Sequence, residues 1–412
     1  MRLLFLSITF PLPLSNGNKL RTWALLKALA QEGHEVTLLA FQQPTEVSLV
    51  DETQVRTVCT DLKLVPLSWS NLSTTSDVTG RLRTLMTGHP YAVERFASDT
   101  MRGRIHAYLE KGHFSAIVSD VFMAVNLPEI TPPMILNNEN VEYVILRRYL
   151  NRERNPAKLI YAWLEYKKMK RWEQEVGNRS VVGMACSEVD QAILKVLCPS
   201  LPVVLVPNIY EADTAPMDTN EELATVLFQG GMDWYPNRDG VEFFVKEILP
   251  HLRDLTPAVK FLVAGRDPAN WLKRFSHVPD VSFVSANDAT EMRGVASKAT
   301  LCVVPLRVGS GTRFKILEAA SLAKAIVSTR TGAEGLGFVH GKDIVLVDEP
   351  RRFAQAVAAL LANPSERTIL GTAARARVRK YYSLHALRQS VTQALSVVDK
   401  RAQVPRQSAV GV

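Results

Sequence analysis

The chain opens on an apolar run at residues 2–10, which predicts a β-strand. Leu20, Trp23, Ala24, Leu26 and Leu29 then recur at helical spacing before a second apolar run at 35–41. Strand, helix and strand in succession, with Gly33 closing the helix, make a βαβ opening and imply a parallel sheet. The rhythm continues with strands expected at 62–67, 115–119, 133–138, 180–186 and 203–206. It resumes with strands at 225–230, 259–265, 281–284, 300–305, 325–329 and 344–347, and helices fall between them.

Residues 207–224 are short of large apolar side chains and contain Pro207 and Pro216, so they are the best candidate for a linker. A chain of 412 residues exceeds one typical core. The expected organisation is an N-terminal domain at 1–207, a linker at 208–224, a C-terminal domain at 225–384, and a C-terminal helix with a frayed tail at 385–412. The last segment is expected to cross back to the first domain. The fold class expected is α/β: two doubly wound Rossmann-like domains facing across a cleft, with ligands beyond the carboxyl ends of the strands.

Composition narrows the function classes. With 47% hydrophobic and 22% charged residues the chain is neither disordered nor fibrous. No apolar run approaches 18 residues, so no membrane-spanning helix is expected. Residues 1–8 resemble a short signal peptide. Pro11, Pro13, Asn16 and Gly17 then interrupt the run without a cleavage site, which favours a strand. Cys59, Cys186, Cys198 and Cys302 are scattered, fitting buried, reduced thiols and a cytoplasmic location. No histidine–cysteine spacing suggests a metal site.

The net charge of +8 is concentrated: between Arg147 and Arg171 nine basic residues face only Glu153 and Glu165, interleaved with Tyr149, Tyr161, Trp163 and Tyr166. Such a segment can rest on an anionic membrane surface or meet an acidic acceptor. It also fits a solvated helical face whose aromatic residues turn to the core. No nucleic-acid-binding module accompanies it, so no nucleic-acid partner is expected.

The chemistry concentrates at 307–336. Gly309, Ser310, Gly311 and Thr312 form a turn before a helix, with Arg313 and Lys315 beside it. Exposed backbone N–H groups at a helix start, with cations adjacent, favour a diphosphate. Glu318 follows on the same helix, where a carboxylate can accept hydrogen bonds from sugar hydroxyls. Phosphate donors beside a hydroxyl acceptor make a nucleotide site.

Four segments carry a family resemblance: Leu227 to Asn237, Val263 to Pro268, the glycine turn with Glu318, and Gly332-Ala-Glu-Gly-Leu336. Together they resemble the nucleotide-sugar domain of GT-B glycosyltransferases, the retaining group called "glycosyl transferases group 1". Pro13, Gly17, Arg21, Gly33 to Val36 and Leu136 to Tyr143 extend the resemblance to the N-terminal half. It implies transfer of a sugar from a nucleotide-diphosphate donor to an acceptor hydroxyl, without a metal or other cofactor. The acceptor, a glycan or lipid-linked sugar, would belong to the N-terminal domain. Envelope glycan, exopolysaccharide or glycolipid synthesis is the implied setting.

By that resemblance Arg238, Arg313 and Lys315 neutralise the leaving diphosphate, and Glu318, the second Glu of the family's Glu-x7-Glu pattern, binds the donor ribose. The first Glu of the pattern is replaced by Ser310, and Glu139 stands where relatives often carry a His. Ala323 and Ala325 replace the usual Gly and Pro.

Glu139 and Asp120 each follow a strand and are the candidates for orienting the acceptor hydroxyl or acting as base. Helix capping is the alternative for Glu139. Gly17 is a candidate for close approach to the diphosphate, Glu334 for the donor, and Arg266 for phosphate or base, with a surface ion pair the alternative. His34 and His340 read as structural, while His89 is a weaker acceptor candidate.

Other functions weighed are a nucleotide-sugar epimerase, a non-catalytic sugar-nucleotide binder and a nicotinamide oxidoreductase. The last lacks Gly-x-Gly-x-x-Gly after its first strand.

Overall fold

A computed structural model describes residues 1–42, 48–67, 80–81, 84, 87–211, 221–267, 270–309 and 311–402. Two compact units emerge. One comprises residues 1–12, 22–207 and 387 onward, the other 13–21 and 208–386.

The first unit holds a seven-stranded parallel sheet in the order β3-β2-β1-β4-β5-β6-β7. Its strands are β1 (Arg2–Ser7), β2 (Glu35–Gln42), β3 (Asp61–Pro66), β4 (Ala116–Ser119), β5 (Met134–Asn138), β6 (Val182–Ala185) and β7 (Val203–Leu205). All residues of β4, β5 and β6 are buried, as a sheet covered on both faces requires. The connecting helices include α1 (Gly17–Gln31), α2 (Leu49–Arg56), α3 (Asp99–Lys111), α4 (Glu142–Leu150), α5 (Pro156–Arg179) and α6 (Glu188–Leu197). Gly33 takes φ +74° where α1 turns into β2, the left-handed conformation that suits glycine after a helix.

The second unit holds a six-stranded parallel sheet, β10-β9-β8-β11-β12-β13. These strands are β8 (Glu222–Gln229), β9 (Lys260–Ala264), β10 (Val281–Val284), β11 (Ala299–Val304), β12 (Ile326–Ser328) and β13 (Val345–Leu346). Helix α7 (Tyr235–Phe243) runs through a π-helical turn into α8 (Leu249–Leu255). Then come α9 (Ala289–Lys298), α10 (Phe314–Ser321), α11 (Pro350–Ala362) and α12 (Pro364–Tyr381). Phe244 stacks on Phe261 at 4.1 Å and meets Phe353 edge-on at 6.3 Å, fastening the helical layer to the sheet.

Both sheets run outward from β1 and β8 respectively, then reverse to the other side. Each therefore has a switch point, between β1 and β4 and between β8 and β11. β8 begins at Glu222, inside the segment expected as linker, and residues 212–220 of that segment lie outside the described residues. The last helix, α13 (Leu384–Ala402), groups with the first unit from Leu387. There Arg388 Nε donates to Glu32 Oε1 at 2.6 Å, and Thr392 Oγ1 to Glu32 Oε2 at 3.4 Å.

All four cysteines are free and buried. Burial raises the thiols of Cys59 and Cys302 to about 12 and also lifts Cys198. Among the described residues no helix is long and apolar enough to cross a membrane.

Candidate active site

In the second unit, glycines at the ends of three strands let the chain pack closely around the start of α10. Gly230 follows β8 with φ +148°, and a Cβ there would lie 3.0 Å from Lys315 Nζ and 2.6 Å from Asn237 Nδ2. Gly265 follows β9, also at φ +148°, where a Cβ would lie 2.3 Å from the Gly230 carbonyl oxygen. Gly309, after β11, has φ +143°, and its Cβ would meet Arg313 Nη2 at 2.5 Å. The positive φ disfavours a side chain at all three positions, and at Gly265 the backbone of Gly230 blocks one outright.

Lys315, in the first turn of α10, donates to Asn237 Oδ1 at 2.6 Å and lies 4.1 Å from the centroid of the Phe228 ring. Asn237 Nδ2 in turn donates to the Gly231 carbonyl at 2.8 Å. Burial, reinforced by the Arg313 charge, holds the Lys315 ammonium well below its ordinary pKa, partly offset by Glu318. Arg313, 3% exposed, donates from Nη1 to the Gly311 carbonyl at 2.8 Å. A buried guanidinium and a lysine amine ready to take up a proton at one helix start, where the helix dipole is already positive, form a site prepared for an anion.

Glu318 lies one turn further along α10. Burial lifts its carboxyl to about 7, against the opposing effects of the Tyr210 hydroxyl and Lys315. The Tyr210 hydroxyl stands 3.4 Å from Glu318 Oε1. Thr312 Oγ1 accepts from Asn208 Nδ2 at 2.8 Å, and Asn208 Oδ1 accepts from Arg21 Nη1 at 2.8 Å. Arg21 and Asn208 are both 2% exposed, so a buried chain of polar groups ends at the glycine turn.

Other sequence candidates scatter around this cluster. Arg238, half-buried on α7, makes no side-chain hydrogen bond or ion pair among the described residues. Arg266 follows β9 and pairs with Asp233 at 3.2 Å, the alternative weighed from the sequence. Glu334 sits half-buried in the turn after β12, where the neighbouring Gly332 packs so closely that a Cβ would lie 2.4 Å from the Val304 carbonyl. Gly17 is the first residue of α1, whose start is held by Asn16 Oδ1 accepting from the Lys19 amide at 3.0 Å. Ser310 lies outside the described residues.

The first unit gathers carboxylates at the ends of its central strands. Asp120, after β4, accepts from the amides of Phe122 at 2.9 Å and Met123 at 2.7 Å, capping a short 3-10 helix at Met123–Asn126. Burial nevertheless raises its carboxyl to about 7, against those two bonds and with help from the Glu139 charge. Glu139, after β5, is half-buried, and its carbonyl accepts from Cys186 Sγ at 3.0 Å. Glu142 is likewise raised to about 7, by burial first, despite a hydrogen bond from Asn140 and with the charges of Glu139 and Asp120 adding to it.

Sequence reasoning did not assign roles to Glu142, Glu173, Asn208, Tyr210 or Asn237. Glu173 accepts the Glu142 amide from 31 residues away, so no local sequence signal marked it. Asn237 ends the segment Leu227 to Asn237 that carries the resemblance, a position from which its role was legible.

The histidines serve local structure: His89 Nδ1 lies 2.8 Å from Glu94 Oε1 and its ring meets Trp172 edge-on at 4.7 Å. His340 Nδ1 accepts from the Leu346 amide at 2.9 Å, and His34 Nδ1 lies 3.0 Å from the N-terminal amine.

Comparison with known proteins agrees with the geometry. Residues 224–363 match the family model described as Glycosyl transferases group 1. An uncharacterised 44.6 kDa protein in the cps region of Klebsiella pneumoniae is 21% identical over 379 residues, which span 86% of this chain and 89% of that protein. The sucrose-phosphate synthase of Thermosynechococcus elongatus superposes with a TM-score of 0.71 at 16% identity, covering 97% of this chain and 100% of that one. TarM of S. aureus, solved in complex with Fondaparinux, alpha-GlcNAc-glycerol and UDP, superposes with a TM-score of 0.68 at 10% identity, covering 97% and 100%. With two parallel sheets of reversed strand order, the chain has the two-domain GT-B fold of these solved structures, and its second unit carries a domain similar to Glycosyl transferases group 1.

Proposed function

We propose that the chain transfers a sugar from a nucleoside-diphosphate sugar to a hydroxyl of a glycan or lipid-linked acceptor, with retention and without a metal, in the synthesis of an envelope polysaccharide. The observation that carries this reading is the start of α10, where buried Arg313 stands beside half-buried Lys315 with Glu318 a turn beyond. A diphosphate restores to Lys315 the counter-charge that burial denies it, and the negative charge that grows as the glycosidic bond breaks strengthens that attraction. Arg238 supplies a third cation from α7. Glu318 accepts ribose hydroxyls. Glu334 and the backbone of Gly309 and Gly311 contact the donor sugar, and Gly17 lets the backbone approach the diphosphate.

On the first unit, Glu139 orients the acceptor hydroxyl, with Asp120, whose carboxyl feels the Glu139 charge, as a second carboxylate. The uridine diphosphate bound by TarM and the cps setting of the Klebsiella relative support a nucleotide donor and a polysaccharide product.

The basic segment suits an anionic membrane surface. On α5 the exposed stripe Ile160, Trp163, Lys167, Lys170 and Arg171 sets apolar and cationic side chains along one face, with Lys167 Nζ 5.5 Å from the centroid of the Trp163 ring. Trp172 instead turns inward and donates to the Val121 carbonyl at 2.7 Å.

A thermal-shift panel of UDP, GDP, ADP, dTDP, CMP and NAD, with and without magnesium, tests the donor reading. A ligand at about 100 times its Kd adds about 2.7 kcal/mol. A magnesium-independent shift with one nucleoside diphosphate is the expected result. A shift with NAD alone would transfer the chain to the oxidoreductases.

A further inference from the structure

Helix α12 contains four arginines in its last four turns and treats them differently. Arg367 pairs with Glu221 at 3.5 Å and Arg377 with Asp343 at 2.5 Å. Arg375, Arg379 and Lys380 pair with no carboxylate among the described residues. These three instead line an open cavity of about 520 Å³ with Thr372, Ala376 and Ala323. The Arg375 Nε–H is buried there without a hydrogen-bond acceptor. A buried donor on a charged group costs on the order of 1–3 kcal/mol when left unmet. Burial lowers the pKa of the same guanidinium, and the charges of Arg379 and Arg293 add to the shift.

The floor of the cavity is rigid. Ala323 sits at φ +54° in the turn after α10. Gly371 brings α12 so close to this turn that a Cβ at 371 would overlap the Ala323 carbonyl oxygen, at 1.8 Å. The cations therefore stand on a fixed base, at the opposite end of α10 from Lys315 and about 12 Å along its axis from it.

We propose that this cavity is a second anion site, distinct from the donor site, that takes a phosphate-bearing ligand. Arg375 supplies the buried Nε–H donor, while Arg379 and Lys380 close over the phosphate from the rim. Thr372 adds a hydroxyl. A phosphate oxygen meets the unsatisfied donor and the unneutralised charge together, whereas a neutral sugar would answer only the first. A free phosphorylated metabolite and a phospholipid headgroup share this chemistry.

The test uses the full-length chain saturated with UDP, titrated with inorganic pyrophosphate by calorimetry. One saturable site is expected to persist under UDP and to weaken at least tenfold in Arg375→Gln/Arg379→Gln. Should that variant melt early, Arg379→Glu/Lys380→Glu, at exposed positions, gives the same reading. A second arm sediments the chain with vesicles of 30% phosphatidylglycerol in phosphatidylcholine. Vesicle binding that depends on Arg375 and Arg379, without pyrophosphate binding, assigns the site to a headgroup. Pyrophosphate binding unchanged in both variants, or none in either arm, overturns the proposal. If UDP fails to bind, the donor reading fails, and the variants still decide this one.

Discussion

Glu173, deep in α5, accepts the backbone amides of Glu142 at 2.9 Å and Tyr143 at 2.8 Å, and so closes the start of α4 from a neighbouring helix. Val141, the residue in the capping position, has no side chain able to do so. Burial still dominates: the Glu173 carboxyl is raised to about 8, against the Tyr143 and Glu142 amides and with the charges of Glu142 and Asp190 adding to the shift.

In the first unit the pH dependence of stability is dominated by Asp120, Glu142 and Glu173. Each has a folded pKa above the ordinary carboxylate value, at about 7, 7 and 8. Between pH 5 and 8 the native state holds protons that the unfolded chain releases, so stability falls as pH rises and levels off above that window. The expected loss is about 2 kcal/mol or more. Denaturant melts at pH 5, 6, 7 and 8 check it. Glu173→Gln should flatten the slope; a stability that rises across the window would refute the protonated cluster.

Proton linkage at the donor site comes from Lys315. Its pKa is depressed in the free protein, so an arriving diphosphate should draw a proton onto it and bind more tightly at lower pH. Glu318 works in the opposite sense, since accepting ribose hydroxyls favours its ionised form. Calorimetry in two buffers of different ionisation enthalpy should therefore show net uptake in Glu318→Gln. In Lys315→Met that uptake should vanish, with at least tenfold weaker binding.

Removing the ribose acceptor is a separate test. Glu318→Ala should weaken donor binding by about tenfold, the value of one hydrogen bond to a charged group, while the melting profile stays cooperative. Unchanged turnover at sub-saturating donor would remove Glu318 from the site.

Gly265→Ala probes the strand-end geometry. The new Cβ meets the Gly230 carbonyl at 2.3 Å and inherits φ +148°. Strain of about 2–4 kcal/mol is expected, read as a lowered Tm. Gly294→Ala, on the exposed part of α9 with open space around its Cβ, is the control expected to melt no lower than wild type.

Charge reversal at Lys167, Lys168 and Lys170 tests the membrane reading, with reduced sedimentation on anionic vesicles expected. Equal sedimentation would leave α5 as a solvated face.

The positions of the strands were legible because fully covered parallel strands are apolar throughout: Ala116–Ser119 and Ala299–Val304 stand out with no knowledge of their neighbours. The glycine turn and its cations were legible for the same reason, being contiguous. What escaped notice depends on contacts distant in sequence. Tyr210 meets Glu318 across 108 positions and Asn208 meets Thr312 across 104, and no spacing rule connects such pairs. Arg266 shows the limit from the other side, since its residue type suits both phosphate and the Asp233 partner it has.

The buried thiols make the chain its own unfolding sensor. Alkylation requires a thiolate that can be reached, and burial denies both conditions at Cys59 and Cys302. Cys302 belongs to the second unit, while Cys59, Cys186 and Cys198 belong to the first. The order in which mass spectrometry finds them modified thus records which sheet opens first, without any added label.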